Sequence, residues 1–207
     1  WGGILGLRAV VFDYGMVLTG PPDPKAYSEL LRITGLPSER LDPLYWADRH
    51  AFDEGKLTGL GFWRKVTGDA GLSLSDEAIE ELSLWDARMW TTQNDAMLAW
   101  QMLLKQRGIL TAILSNIGDT VLANMLREHA WLDRFDVHVW SYQLRMAKPD
   151  LSIYRYTLQQ LGTRPEETLF IDDRQVNIDA AEALGMKGVL FTDVNQLRAD
   201  LVTKGLD

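Results

Sequence analysis

The segment Ala9-Val10-Val11-Phe12-Asp13-Tyr14-Gly15 says most about the fold, because it joins a short apolar run to a carboxylate and a glycine. A run of this length predicts a strand that is buried on both faces. Two other runs have the same form: 109–114, which leads into Ser115-Asn116, and 168–171, which leads into Asp172-Asp173. The runs alternate with amphipathic stretches, and this predicts an α/β fold with a doubly wound parallel sheet and right-handed crossovers.

The predicted elements divide the chain into a core and an insertion. Strands are predicted at 8–13, 109–114, 136–140, 168–172 and 188–191, and core helices at 94–107, 119–129, 150–161, 175–184 and from about 193. The segment Gly20-Pro21-Pro22-Asp23-Pro24 breaks any regular element, and only helical patterns follow it up to about residue 90. We therefore expect a Rossmann-like core of residues 1–19 and 91–207, interrupted by a small α-helical domain at 20–90.

Composition and charge narrow the class of protein. The chain has 207 residues, of which 46% are hydrophobic and 24% charged, and its net charge of −8 repels nucleic-acid phosphates. The absence of cysteine excludes disulfides, thiolate catalysis and zinc–thiolate sites. No stretch reaches the ~18 apolar residues that span a bilayer, and Trp1-Gly2-Gly3-Ile4 does not resemble a secretory signal. We expect a cytoplasmic monomer or homodimer without nucleic-acid or membrane partners.

Polar segments follow the predicted strands, and an open parallel sheet binds its ligands outside the carboxyl ends of its strands. Asp13 is placed to attack an electrophile or to bind a cation, although Asp at a strand end is also common in turns. Ser115 and Asn116 offer a hydroxyl and a backbone N–H to an anionic oxygen, unless Ser115 caps the next helix. We expect these segments to converge on one cleft.

Two further segments carry opposite charges. Lys148-Pro149-Asp150 places a cation just before a predicted helix whose first turn contains Pro149, and such a cation needs a compensating anion unless it is solvated. Asp172 and Asp173 would repel each other in a buried cleft unless a divalent cation relieves the cost or one of them caps the next helix. Mg²⁺ suits the pair, because it takes hard oxygen ligands and keeps waters that substrate oxygens can replace.

In this order, the four segments resemble the motifs of the haloacid dehalogenase-like hydrolase superfamily, and the resemblance covers nearly the whole chain. It implies phosphoryl transfer in which Asp13 attacks phosphorus and forms an aspartyl-phosphate. Ser115, the Asn116 backbone N–H and Lys148 would hold the phosphoryl oxygens.

The same resemblance implies a metal site and a cap. Mg²⁺ would be held by the Asp13 carboxylate, the Gly15 carbonyl oxygen and the pair Asp172-Asp173. Residues 20–90 resemble the helical cap that one branch of the superfamily carries after its first motif, and would exclude water and contact the substrate. The implied activity is Mg²⁺-dependent hydrolysis of a small phosphorylated metabolite, with a sugar phosphate as one candidate.

One position departs from this pattern. Most phosphatases of the superfamily carry a second Asp two residues after the nucleophile, where this chain has Gly15. The metal ligand survives because it is a backbone carbonyl, but a general acid worth ~10²–10⁴-fold in rate is lost. Some members resembling sugar-phosphate phosphatases also have Gly here, and a good leaving group such as a sugar 1-phosphate depends on the acid less. The candidates for a replacement are Tyr14, Thr19, His50 and Asp53.

Two other functions compete with the phosphatase. A 2-haloacid dehalogenase of the same superfamily would use Asp13 to displace halide without a metal. Such enzymes resemble a different fourth motif, without the acid pair, and carry Tyr where this chain has Gly15. A non-catalytic protein that binds a phosphorylated ligand would keep the site and lack turnover.

Substrate choice is assigned mainly to the insertion. Four of the eight tryptophans lie there, and we expect them to pack its core: Trp46, Trp63, Trp85 and Trp90. Candidates either to line the cleft or to pack the cap are Trp46, Arg49, His50 and Trp63.

Overall fold

The sheet forms the centre of the molecule. In the computed structural model, which describes residues 6–206, its strands are β1 (Ala9–Phe12), β2 (Leu110–Ser115), β3 (Val137–Trp140), β4 (Thr168–Asp172) and β5 (Lys187–Leu190). All neighbours pair in parallel, in the order β3-β2-β1-β4-β5. The predicted doubly wound α/β fold is therefore confirmed. The prediction made for Trp1-Gly2-Gly3-Ile4 lies outside the described residues.

The register brings the ends of the central strands together. Phe12 of β1 lies beside Ile113 of β2 on one side and Ile171 of β4 on the other. Because the three strands run in parallel, the polar residues that follow these positions emerge at the same edge of the sheet.

Helices cover both faces of the sheet and form the insertion. Their bounds are α1 Pro24–Thr34, α2 Ser38–Ala47, α3 Arg49–Asp53, α4 Gly59–Asp69, α5 Asp76–Met89, α6 Asp95–Gln106, α7 Asp119–Glu128, α8 Ser141–Leu144, α9 Leu151–Leu161, α10 Gln175–Ala183 and α11 Val194–Thr203. Within residues 6–206, none is long and apolar enough to cross a membrane.

Alternation along the strands divides the core into two layers. Val10 and Phe12 of β1 belong to a cluster that includes side chains of α6 and α11, whereas Ala9 and Val11 pack in a second cluster with α9 and α10. All four β1 side chains are fully buried, as expected for a strand covered on both faces.

The insertion consists of α1 to α5 and is joined to the sheet by two adjacent chain segments. Thr19 forms an antiparallel bridge with Gln93, and the Gly20 N–H donates to the Thr92 carbonyl at 2.8 Å. α1 packs along α5, and the fully buried Trp63 of α4 forms part of the interior of the insertion. These paired hydrogen bonds fix where the helical unit leaves the core.

One helix start differs from the sequence prediction. Pro149 does not lie in the first turn of α9, because Asp150 caps that helix and accepts a hydrogen bond from the Ser152 N–H at 2.7 Å. Pro149 instead follows a cis peptide bond with Lys148, in the loop before the helix.

Candidate functional site

The residues singled out from the sequence meet at the carboxyl edge of the sheet. Asp13, Gly15, Ser115, Asn116 and Lys148 all line one cavity of about 120 Å³. They come from the last residue of β2 and from the segments that follow β1, β2 and β3, so the strand ends converge on one cleft.

Lys148 is the central charge of this cleft. Its Nζ lies 2.9 Å from Asp13 Oδ1 and 2.6 Å from Asp172 Oδ2, and the residue is 2% exposed. The Asn116 side chain fixes its backbone from both sides, accepting from the Lys148 N–H and donating to the Lys148 carbonyl, each at 2.8 Å. The anion that a buried lysine requires is therefore supplied by two carboxylates, and the ammonium group is held in place.

Three carboxylates form a cluster around this lysine. One oxygen each from Asp13, Asp172 and Asp173 lies within 4.8 Å of the others, close enough to hold one metal ion. Asn177 Nδ2 donates to both oxygens of Asp172 at 2.9 and 3.0 Å, which orients that carboxylate. The set consists of hard oxygen donors and fits Mg²⁺.

The charges of the cluster do not balance. Burial raises the pKa of Asp13 to about 8; Lys148 opposes this shift, while Asp172 and Asp173 add to it. Burial and the neighbouring Asp172 likewise raise the pKa of Asp173 above its usual value. Three acids against one lysine leave an excess of negative charge, which a divalent cation would neutralise.

Ser115 and Asn116, which the sequence analysis proposed for an anionic oxygen, line the same cavity as Asp13. The Ser115 hydroxyl is 3.4 Å from the Asn116 carbonyl oxygen, a long hydrogen bond that a ligand oxygen can replace. Ser115 is the last residue of β2, and the next helix is capped by Gly118, so Ser115 is not a helix cap. The Tyr14 N–H donates to Asp13 Oδ1 at 2.7 Å and holds the carboxylate at the end of β1.

The turn after Asp13 leaves room at Gly15. Its backbone angles are φ −63° and ψ 137°, which any residue can adopt. A Cβ added there would meet no atom within 4 Å. The missing second Asp is therefore a difference in chemistry, since the fold would accept the side chain.

The four candidates for a replacement acid are placed differently. Thr19 is fully buried and donates to the Tyr14 carbonyl, whereas the Tyr14 hydroxyl donates to the Trp90 carbonyl at 2.8 Å. The side chain of His50 is 65% exposed and lies against Glu54. Asp53 lines the cavity that contains Asp13.

The insertion supplies one wall of the cavity. Arg49, in α3, is buried, and its guanidinium pairs with Asp53 at 3.0 Å and with Asp86 at 3.1 Å. Burial raises the pKa of Asp53 to about 6, against the opposing effect of Arg49. The Ser141 hydroxyl of α8 donates to the Asp53 carbonyl, which ties this wall to the core.

The tryptophans of the insertion do not all pack its core. Trp63 is fully buried, as expected, but Trp46 is 58% exposed. Trp46 and Trp90 line the cavity that contains Asp13. Sequence reasoning assigned neither Trp90 nor Asn177 to the cleft. The position of Asn177 in the first turn of α10, five residues after Asp172, is the signal that would have identified it.

Known proteins of similar sequence include two phosphatases and a dehalogenase. The chain is 29% identical over 203 residues to phosphatase MT3486 of Mycobacterium tuberculosis (strain CDC 1551 / Oshkosh), covering 96% of this chain and 93% of that protein. It is 37% identical over 90 residues to sesquiterpene phosphatase astK of Aspergillus oryzae, covering 44% of this chain and only 46% of astK. It is also 30% identical over 200 residues to (S)-2-haloacid dehalogenase 1 of Pseudomonas sp. (strain CBS-3), covering 92% of this chain and 86% of that protein.

Solved structures show the same fold. The HAD-family enzyme bt-2542 of Bacteroides thetaiotaomicron, in complex with magnesium and inorganic phosphate, superposes with a TM-score of 0.74 at 22% identity, covering 92% of this chain and 98% of that one. The family model for haloacid dehalogenase-like hydrolases matches residues 7–185. This protein belongs to the haloacid dehalogenase-like hydrolase family.

Proposed function

We propose that this protein is a Mg²⁺-dependent phosphatase that hydrolyses a small phosphorylated metabolite through an aspartyl-phosphate on Asp13. The position of Lys148 between Asp13 and Asp172, beside the third carboxylate of Asp173, carries the proposal. A phosphoryl group together with a divalent cation would complement this mixture of charges. Two of the similar proteins are named phosphatases, which supports the same reaction class.

The proposed reaction has two steps at phosphorus. A carboxylate oxygen of Asp13 attacks in line, the bond between phosphorus and the ester oxygen breaks, and the leaving oxygen takes a proton. Water then attacks the phosphorus of the aspartyl-phosphate, which releases inorganic phosphate and restores Asp13. Lys148, the Ser115 hydroxyl and the Asn116 N–H would hold the phosphoryl oxygens in both steps, so that positioning and charge stabilisation supply most of the rate.

The acidic residues are assigned to the metal. Asp13, Asp172, Asp173 and the Gly15 carbonyl oxygen would hold Mg²⁺, which when bound neutralises charge on the transferring phosphoryl group. The hydrogen bonds from Asn177 to Asp172 would keep that carboxylate oriented towards the cleft.

Asp53 is our candidate for the proton donor that Gly15 does not provide. It lines the same cavity as Asp13, and its raised pKa of about 6 allows it to carry a proton near neutral pH. The Tyr14 hydroxyl is committed to a backbone carbonyl, and Thr19 and His50 do not line the cavity. Asp53 would give its proton to the leaving oxygen and accept one from water in the second step.

These assignments give the two parts of the chain different roles. We propose residues 1–19 and 91–207 as the catalytic core and residues 20–90 as the cap. The cap would contribute Asp53 and most of the substrate contacts, since Trp46, Arg49 and Trp90 form its side of the cavity.

A dehalogenase is the second candidate, because one similar protein is named as such. It would need no metal, and the adjacent acids Asp172 and Asp173 would then lack a function. The decisive assay measures phosphate release from p-nitrophenyl phosphate and a panel of phosphate esters, with Mg²⁺ and with EDTA, and chloride release from 2-chloropropionate.

The phosphatase predicts turnover that requires Mg²⁺ and is lost in Asp13→Asn. It predicts no effect of Asp95→Asn, a matched change at an exposed position of α6. Chloride release without metal would establish the dehalogenase instead. Phosphate binding without turnover of any ester would establish a binding protein.

A further inference from the structure

A second cavity adjoins the catalytic one within the insertion. It has a volume of about 410 Å³ and lies between α1, α2 and α5. This volume falls in the range of ~300–1,000 Å³ that is common for small-molecule sites. Trp46 and Trp90 line both cavities, so the two cavities are neighbours at these residues.

The wall of the second cavity is mostly apolar, and Asp42 is the one charged residue among the described residues that line it. Leu30, Leu41 and Met89 contribute side chains to it and are themselves at most 3% exposed. Two hydroxyl groups in the wall are already engaged, since Tyr27 donates to Asp42 at 2.5 Å and Tyr45 donates to Asp86 at 2.7 Å. A ligand with many hydroxyl groups would lose water there and find few hydrogen bonds in return.

The charged residues near the junction of the two cavities, at Trp46 and Trp90, do not suit a second anionic group. No Lys, Arg or His lines the second cavity among the described residues. Two arginines line the catalytic cavity: Arg174, which belongs to the core, and Arg49, which belongs to the insertion and whose guanidinium is already paired with Asp53 and Asp86. A substrate carrying a carboxylate or a second phosphate beyond the reacting one would therefore find no free partner at the insertion's wall.

Trp46 provides an exposed aromatic surface at this junction. It is 58% exposed, although its ring contacts Tyr45 edge to face at 5.0 Å and lies 6.5 Å from the ring of Trp90. A large aromatic surface left open between two cavities gains stability when an apolar group covers it.

We propose that the second cavity binds the apolar part of the substrate, an uncharged hydrocarbon chain or ring, while its phosphate occupies the catalytic cavity. The inference rests on the proposed phosphatase function and specifies its substrate class. It favours the phosphate ester of an apolar alcohol over the sugar phosphate that the sequence suggested as one candidate.

Binding of n-alkylphosphonates tests the cavity without requiring turnover. Phosphonates of two to ten carbons would be titrated calorimetrically into the wild-type protein with Mg²⁺. Each CH2 that leaves water is expected to lower Kd about two- to fourfold until the cavity is filled. A Kd that does not change with chain length would overturn the proposal.

Three variants test whether the second cavity causes the dependence of Kd on chain length. Trp46→Ala removes the aromatic wall, and Ser38→Glu places a charge in the cavity at the first residue of α2, where an acidic side chain suits the helix. In the wild type, Kd falls with each added pair of carbons. In both variants the factor by which two added carbons lower Kd should be at least threefold smaller. Trp85→Ala, a matched change at a tryptophan that lines neither cavity, should retain the wild-type dependence. Equal slopes in Trp46→Ala, Ser38→Glu and the wild type would contradict the assignment.

Hydrolysis of the corresponding n-alkyl phosphates separates the two proposals. Beyond the shortest esters the leaving alcohols are chemically alike, so a rise of kcat/KM with chain length reports binding. Hydrolysis with flat kcat/KM, or a higher kcat/KM for glucose 6-phosphate than for hexyl phosphate, would leave the phosphatase standing and refute the apolar site. Length-dependent phosphonate binding without hydrolysis of any ester would refute the phosphatase and leave an apolar binding site beside an anion site.

Discussion

Raising the pH from 6 to 8 is expected to strengthen Mg²⁺ binding about 50-fold, because Asp13 must lose a proton before it can bind a metal. Its pKa is raised to about 8 in the folded protein without metal. The apparent Kd then exceeds its limiting value by the factor 1 + 10^(pKa − pH), which is about 100 at pH 6 and about 2 at pH 8. The raised pKa of Asp173 acts in the same direction.

The same shift has a consequence for stability. The pKa of Asp13 is higher in the folded chain than its unfolded value of 3.8, so the folded state holds the proton more tightly. Its contribution to stability is present in full below pH ~4 and is lost as the pH rises through about 8. Saturating Mg²⁺ should offset that loss, and the gain in Tm on adding Mg²⁺ should be larger at pH 8 than at pH 6.

Isothermal titration calorimetry at the two pH values, with thermal melts of the same samples, measures both effects. Asp13→Asn provides the control, because Asn does not titrate; its Mg²⁺ affinity should be weaker and should depend less on pH. An equal Kd for Mg²⁺ at pH 6 and pH 8 in the wild type would show that the ion pair with Lys148 keeps Asp13 ionised without metal. The charge argument for the metal site would then fail.

Three substitutions test other parts of the structure. Asp53→Asn should lower kcat by ~10²–10⁴-fold for an alkyl phosphate. The loss should be much smaller for p-nitrophenyl phosphate, because its leaving group needs no proton. Equal losses for both esters would exclude proton donation by Asp53. Gly15→Asp should raise kcat for alkyl phosphates, because the added side chain meets no atom and supplies an acid two residues after the nucleophile; an unchanged kcat in the folded variant would refute this. Gly118→Ala should destabilise the protein by about 1–3 kcal/mol, because its Cβ would lie 2.2 Å from the Phe52 ring, whereas Gly68→Ala, which meets no atom within 4 Å, should not; equal denaturation midpoints for the two variants would contradict this account of the contact.

The parallel sheet could be predicted because each of its strands is marked by a short apolar run in the sequence. Val10 to Phe12 form a strand wherever they are covered on both faces, and the alternation of such runs with helices admits few topologies. The order of strands then requires Asp13, Ser115 and Asp172 to lie at one edge, as the structure shows.

The position of Pro149 shows where a local rule fails. Proline suits a first helical turn, but Asp150 is a better cap, so α9 starts one residue after the cap and Pro149 stays in the loop. Lys148, which precedes Pro149 in this loop, lies against the carboxylates of Asp13 and Asp172.

The sheet, the residues at its carboxyl edge and a helical insertion could be predicted from the sequence, because each depends on local apolar periodicity and on strand topology. What the insertion contributes to the cavity became visible in the folded structure. Asp53 lines the cavity and Trp46 stands open between two cavities. The insertion is seated by contacts between distant residues, such as the hydrogen bond from Ser141 to the Asp53 carbonyl and the packing of Phe52 over Gly118. No periodicity encodes those contacts, since their energy exists only once the two parts of the chain have folded against each other.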